Sequence, residues 1–204
     1  MRHLAAVSLL AVLAGCATTR PAWVPTEEPL QAAGASYSVQ APAGWMRRNV
    51  DSKSSEADAL VVTRDGTALQ KIACSSVEVG KPVGFGTSKR TVEAGMSPAE
   101  LGELVLDGLR TEGGITDLQA VETAPARLAE RDGFHLLTTF RDHGLAKRAS
   151  LFGVLEGRRL YLLYYVAPER LYFERDRSTF VDVVRSFKLK GAPPAKAPAQ
   201  VPAA

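Results

Sequence analysis

Seven consecutive residues, Leu160-Tyr161-Leu162-Leu163-Tyr164-Tyr165-Val166, put apolar or aromatic side chains on both faces of an extended segment. A strand alternates its side chains between faces, so a run without a polar face must be covered on both sides. Such a strand belongs in the middle of a sheet. Two further strands are predicted just before it, Phe134 to Arg141 and Lys147 to Glu156, and the run itself lies within a third, Arg159 to Ala167. Short turns at His143-Gly144 and Gly157-Arg158 join the three as an antiparallel meander.

The covers have to be helices, and the sequence offers two. Ser97, Pro98 and Glu100 supply an N-cap, a proline at the first helical position and the carboxylate of a capping box. Leu101, Leu104, Val105 and Leu109 follow on one face, and Gly113-Gly114 ends the helix. A second helix is expected from about Leu171 to Phe187, with Phe173, Phe180, Val181, Val184 and Phe187 at three- and four-residue spacing. Earlier strands are expected at Tyr37 to Gln40, Leu60 to Arg64 and Leu69 to Val79, the last two forming a hairpin around Asp65-Gly66, and another at Leu118 to Thr123. The expected fold class is α+β: one domain with an antiparallel β-sheet sandwiched between helices.

A resemblance reinforces this reading. The Tyr-x-Val start at Tyr37, the turn Pro42-Ala43-Gly44-Trp45, the meander ending Tyr164-Tyr165-Val166-Ala167-Pro168, and the closing helix with Phe180 and Ser186-Phe187-Lys188-Leu189 resemble the PsbP/Mog1-like superfamily. The likeness spans nearly the whole expected body, and it implies an α/β/α sandwich. These matching residues pack rather than react, and members of the superfamily share no single activity, so the resemblance assigns no chemistry.

The N-terminus carries a different kind of signal. Met1-Arg2-His3, an apolar run from Leu4 to Leu13, and small residues before Cys16 form the charged, apolar and cleavage regions of a secretory signal. Leu13-Ala14-Gly15-Cys16 resembles the lipobox read by the lipoprotein signal peptidase, which implies lipid attachment at Cys16. Residue 17 is Ala and not Asp, which by the sorting rule of Gram-negative envelopes implies the outer membrane, with the globular domain facing the periplasm. Acyl chains each hold a protein to a bilayer by about 0.8 kcal/mol per buried methylene, so two or three make a stable anchor. The expected organisation is a lipoprotein signal peptide at 1–15, a lipidated N-terminus and flexible tether at 16–35, the globular domain at 36–190, and a disordered Ala/Pro-rich tail at 191–204.

The remaining chemistry is sparse. Of two cysteines in the chain, Cys16 is consumed by the lipid and Cys74, in an alternating strand, reads as a small core residue. A net charge of +3 does not argue for nucleic acid. Gly84-Phe85-Gly86-Thr87-Ser88-Lys89-Arg90-Thr91 lacks the Gly-Lys-Ser/Thr order of a nucleotide loop and reads as a mobile surface loop. His135 and His143 show no metal-ligand spacing, so no metal or cofactor is expected. Arg47-Arg48, Lys89-Arg90, Lys147-Arg148 and Arg158-Arg159 are candidates for a basic patch, and Trp45, Tyr161 and Tyr165 for an aromatic groove on an uncovered sheet face. Two functional classes follow: a non-enzymatic module that binds an envelope protein or polymer, or an envelope hydrolase using His135 with Asp132 or a serine.

Overall fold

The expected meander forms the middle of the sheet in the computed structural model, which describes residues 22–26, 36–49 and 59–190. Strands β1 (Trp23–Pro25), β2 (Tyr37–Ser38), β3 (Met46–Arg48), β4 (Leu60–Thr63) and β5 (Lys71–Glu78) precede helix α1 (Pro98–Arg110). Then come β6 (Ile115–Leu128), β7 (Arg131–Asp142), β8 (Leu145–Glu156), β9 (Arg159–Pro168), α2 (Tyr172–Ser186) and β10 (Lys188–Leu189). Eight strands pair antiparallel in the order β1-β3-β4-β5-β9-β8-β7-β6, while β2 and β10 form a separate ribbon.

Strand β9 is central and its alternation divides the core in two. Tyr161, Leu163 and Tyr165 join a cluster that contains Phe173, Phe180 and Val183 of α2. Leu160 and Leu162 join another that contains Leu101, Leu104 and Val105 of α1. The domain is therefore an α/β/α sandwich. Helix α1 begins with the full capping box, Ser97 accepting from the Glu100 amide and the Glu100 carboxylate accepting from the Ser97 amide. Helix α2 has no such cap: its start is Leu171 at φ 73° and ψ −56°, in a turn closed by the Tyr172 amide on the Arg170 carbonyl.

Turn chemistry fixes the meander. His143 and Gly144 both have positive φ, 48° and 85°, as a two-residue hairpin loop of the twisted kind requires. Ala129 and Glu130 take the same conformation between β6 and β7 without a glycine to ease it. At Gly133 an added Cβ would lie 2.1 Å from the Gly153 carbonyl oxygen, so the close approach of β7 to β8 requires glycine there.

Three expectations need correction. Trp23–Pro25 pairs with Met46–Arg48, so the expected tether at 16–35 is interrupted by a strand and the body reaches back before residue 36. An aromatic and a β-branched residue favour the strand, and Pro25 is tolerated because β1 lies at the sheet edge. Tyr37–Ser38 pairs with β10 instead of entering the main sheet, seating Tyr37 against Phe187 with ring centroids 5.6 Å apart. Strand β6 runs fourteen residues where six were expected, because its mostly exposed edge position removes the apolar alternation that marks a strand. The signal peptide, the lipobox with Cys16 and the tail at 191–204 lie outside the described residues.

Candidate functional site

The two faces of the sheet are covered unequally. Beyond the C-terminal end of α1 the sheet is left open, and a cleft of about 490 Å³ forms there. Its floor comes from β5, β7, β8 and β9, and its walls from the end of α1 and the loop carrying Gly84 and Phe85. Leu109, Phe140, Ile115, Leu151 and Val166 make much of it apolar. That size and character fit the general form of small-molecule sites.

Its polar groups are few and distinct. Lys147 is almost wholly buried; its ammonium donates to Asp142 at 2.7 Å and to the Ala68 carbonyl at 3.1 Å. The Lys147 ammonium is the main reason the Asp142 carboxyl lies below the usual range, with His143 adding to it. Lys71 lines the same cleft, half-buried, and its ammonium makes no hydrogen bond or ion pair among the described residues. Burial lowers its ammonium's pKa, and the charge of Lys147 lowers it further, against weaker opposing pulls from Asp142 and Glu112. Across the ladder, where Lys71 faces Val166 and Ala73 faces Tyr164, the Tyr164 phenol is a second donor without a hydrogen-bond partner among the described residues. Burial pushes its pKa up to about 12, so it stays protonated.

The loop expected to be a mobile surface segment is fastened to the end of α1. The Glu112 carboxylate accepts from the Gly86 amide, and Thr111 Oγ1 accepts from the Thr87 and Ser88 amides at 3.1 Å each. Gly86 has φ 61°, and a Cβ there would lie 2.3 Å from Thr111 Oγ1. Val83 is buried on α1 and Phe85 meets Tyr164 edge-on with centroids 5.7 Å apart, so the loop is a wall of the cleft.

His135 lies on the opposite face, under α2. Its Nε2 is 3.0 Å from Ser150 Oγ and its Nδ1 is 3.7 Å from Glu122, while the ring stacks on Phe152 with centroids 4.5 Å apart. The serine foreseen as its partner is thus Ser150; Asp132, three residues away along a strand, points to the other face and pairs across the ladder with Arg127. Burial lowers the imidazole pKa, and the neutral ring can accept the Ser150 proton. Ser150 itself is buried in mid-strand, opposite Leu137 on one side and Tyr165 on the other. Its neighbouring amides are committed to the two ladders and cannot form an oxyanion hole.

The buried aromatic candidates, Cys74 and several of the basic residues are accounted for by packing or pairing. Trp45, Tyr161 and Tyr165 are buried beneath α2 as core and do not line a common groove; Trp45 alone of the three borders a depression of about 390 Å³ beside Arg64, Asp182 and Val183. Cys74 is buried in that same core, and burial pushes its thiol far above the ordinary range. Of the basic pairs, Arg90 meets Asp107, Arg159 meets Glu78, and Lys147 and Arg148 point to opposite faces, Arg148 meeting Glu169 at 3.1 Å. A sequence signal that bears on the cleft, without locating it, is a lysine at an inward-facing position of an alternating strand, as Lys71 and Lys147 both are.

No family model matches the sequence, and no characterised protein matches it by sequence. Solved structures do match. A cyanobacterial PsbP from Synechocystis aligns with a TM-score of 0.53 at 13% identity, covering 87% of this chain and 98% of that one. Mog1 aligns with a TM-score of 0.50 at 12% identity over 79% of this chain and 95% of its own. LpqN of Mycobacterium tuberculosis, described as involved in cell envelope biogenesis, aligns with a TM-score of 0.50 at 11% identity, over 76% and 83% of the two chains. Such identities speak to fold alone. Among the described residues no helix is long and apolar enough to cross a membrane. The chain folds as a PsbP/Mog1-like domain, a single α/β/α sandwich around an antiparallel sheet.

Proposed function

We propose that this protein is a lipid-anchored component of the cell envelope, held at the outer membrane through Cys16 and facing the periplasm, whose folded body is a non-enzymatic accessory module that binds. The observation that carries this reading is the cleft on the α1 face, which offers binding groups but no nucleophile paired with a base. Among neighbours of the same fold, LpqN is described as involved in cell envelope biogenesis, which fits an envelope role. The lipobox at Leu13-Ala14-Gly15-Cys16 supplies the anchor. Since the sheet already begins at β1, Cys16 is separated from Ala22 by six residue steps, at most about 20 Å of extended chain. The body therefore stays close to the bilayer, with its β1 edge and the neighbouring Arg47 nearest the anchor.

Metabolic labelling with palmitate and fractionation of the envelope test the anchor. Wild-type chain should carry label and sediment with outer membranes, and Cys16→Ser should lose both. A Cys16→Ser protein that is processed and retained like wild type contradicts the reading. The second reading, an envelope hydrolase, is favoured by one observation, the Ser150-His135-Glu122 contact. His135→Ala separates the two, since a binding module keeps its phenotype and a hydrolase loses activity while remaining folded.

A further inference from the structure

We propose that the cleft on the α1 face is a binding site for a small organic monocarboxylate with an apolar body, whose carboxylate is held by Lys71. This deepens the binding-module reading and rests on it. Three features of the site converge on that ligand.

The first is the state of Lys71. Its ammonium is half-buried and has no direct partner among the described residues, whereas the neighbouring Lys147 is fully engaged by Asp142 and the Ala68 carbonyl. A partly desolvated ammonium with carboxylates nearby but none in direct contact is incompletely compensated, and an anion arriving from solution relieves that state more fully than a neutral acceptor can. The second feature is the Tyr164 phenol, on the adjacent strand and the same face, which is protonated and unengaged among the described residues. Together they provide two donors and no acceptor demand, which suits the two oxygens of a carboxylate.

The third feature sets the charge and the body of the ligand. Asp142 and Glu112 also line the cleft, so the two lysines and two carboxylates balance. A dianion such as a phosphate monoester would meet two carboxylates for one free ammonium, and a monoanion meets fewer conflicts. Apart from Thr67, the remaining side chains of the lining are apolar, with Leu109, Phe140, Leu151 and Val166 placed to cover an aliphatic or aromatic body. The volume of about 490 Å³ exceeds that needed for a few waters and lies within the range of small-ligand sites.

Octanoate and octylamine below their micellar concentrations, and 1-octanol below its aqueous solubility, form the test. Amide chemical shifts of the wild-type protein should move on titration with octanoate at Lys71, Phe85, Leu109, Tyr164 and Val166. Octanoate should bind roughly tenfold or more tightly than octanol, and octylamine more weakly than either. Lys71→Met, with its fold checked by its own amide spectrum, should bind octanoate only as well as octanol. Equal affinity for octanoate and octanol, shifts confined to other regions, or no binding of any of the three at millimolar concentration would each overturn the proposal. The binding-module reading fails separately, through a His135-dependent hydrolytic activity, which these titrations do not measure.

Discussion

The two faces of the β-sheet are built from different materials. Under α2, aromatic rings from five segments close the space: Tyr37, Trp45, Tyr165, Phe173, Phe180 and Phe187 are all buried. Tyr165 stacks on Phe173 and meets Phe180 at a tilt, at centroid distances of 5.2 and 5.7 Å, and its hydroxyl donates to the Tyr172 carbonyl at 2.7 Å. Under α1 the core is largely aliphatic and stops short, and the uncovered end holds two lysines and a tyrosine. The closed face fixes the fold. The open face keeps polar groups whose burial works against stability, which is the usual mark of groups retained for a task.

The polar contacts follow the same division. At the closed face Arg175 bridges Asp65 and the buried Asp176, and Gln70 donates to both carboxylates, at 2.7 and 2.9 Å, joining α2 to the β4–β5 turn. Every charge there is compensated. At the open face Lys147 and Asp142 are paired but Lys71 is not. The closed-face network is balanced in charge, although Gln70 Oε1 is buried there without a hydrogen-bond partner among the described residues, whereas the unpaired Lys71 ammonium invites an anion to complete its surroundings.

Substitutions can break this comparison, and the largest effect is expected at the closed face. Phe180→Ala should lower the unfolding free energy by about 3–5 kcal/mol, since it opens a cavity among stacked rings. Leu109→Ala, at the rim of the cleft, should cost about 1 kcal/mol, because the space is already open there. Urea denaturation of both variants makes the measurement, and equal losses would remove the distinction.

Acid should loosen both faces, for a reason that can be assigned. Asp65 is held below the ordinary carboxyl range chiefly by Arg175, and Asp142 chiefly by Lys147. A depressed carboxyl contributes stability above its unfolded value, about 3.9, and the contribution is lost as pH falls through the lower folded value. Stability measured between pH 5 and pH 2, taken as about the working window of these groups, should therefore decline toward acid. Asp65→Asn should flatten that decline.

Lys71 shares the direction of the pH dependence but differs in meaning, because here the charged form is the one that is penalised. Its pKa is lowered by burial, so the cost of holding the charge is fully present at neutral pH and disappears only as pH rises past the ordinary lysine value, about 10.4. Lys71→Met should consequently raise stability, by about 0.5–1 kcal/mol. A thermal melt checks this, and a loss of stability would show that the ammonium has a structural role. The smallest effect is expected at the β6–β7 turn, where Glu130 has φ 60°. Glu130→Gly relieves that conformation and should gain a few tenths to about 1 kcal/mol in the same assay without touching either face.

Much of the central sheet and of its two helical covers is legible from residue order, because local signals coincide there. Leu160–Val166 demands two covers, Ser97-Pro98-Glu100 writes a helix start in four positions, and Phe173 and Phe180 mark the buried side of α2. Strands β1 and β3 are three residues each and draw their stability from pairing with distant chain, so local periodicity does not reveal them. Strand β6 is hidden by exposure, with Val121 open to solvent. The cleft is less legible still. Lys71 begins a strand whose alternation looks ordinary, and Lys147 sits in a basic pair that reads as surface; only the end point of α1 decides that both line an opening. His135 and Ser150 are fifteen residues apart and meet through the β7–β8 register, which a sequence leaves open.

One paired measurement tests the central claim that the closed face stabilises and the open face binds. Octanoate affinity and unfolding free energy are determined side by side for Lys71→Met and for Phe180→Leu, a milder variant that keeps the domain folded. The account predicts that Lys71→Met loses octanoate binding with stability unchanged or raised, and that Phe180→Leu loses stability with binding intact. Affinity and stability falling together in both variants would contradict it.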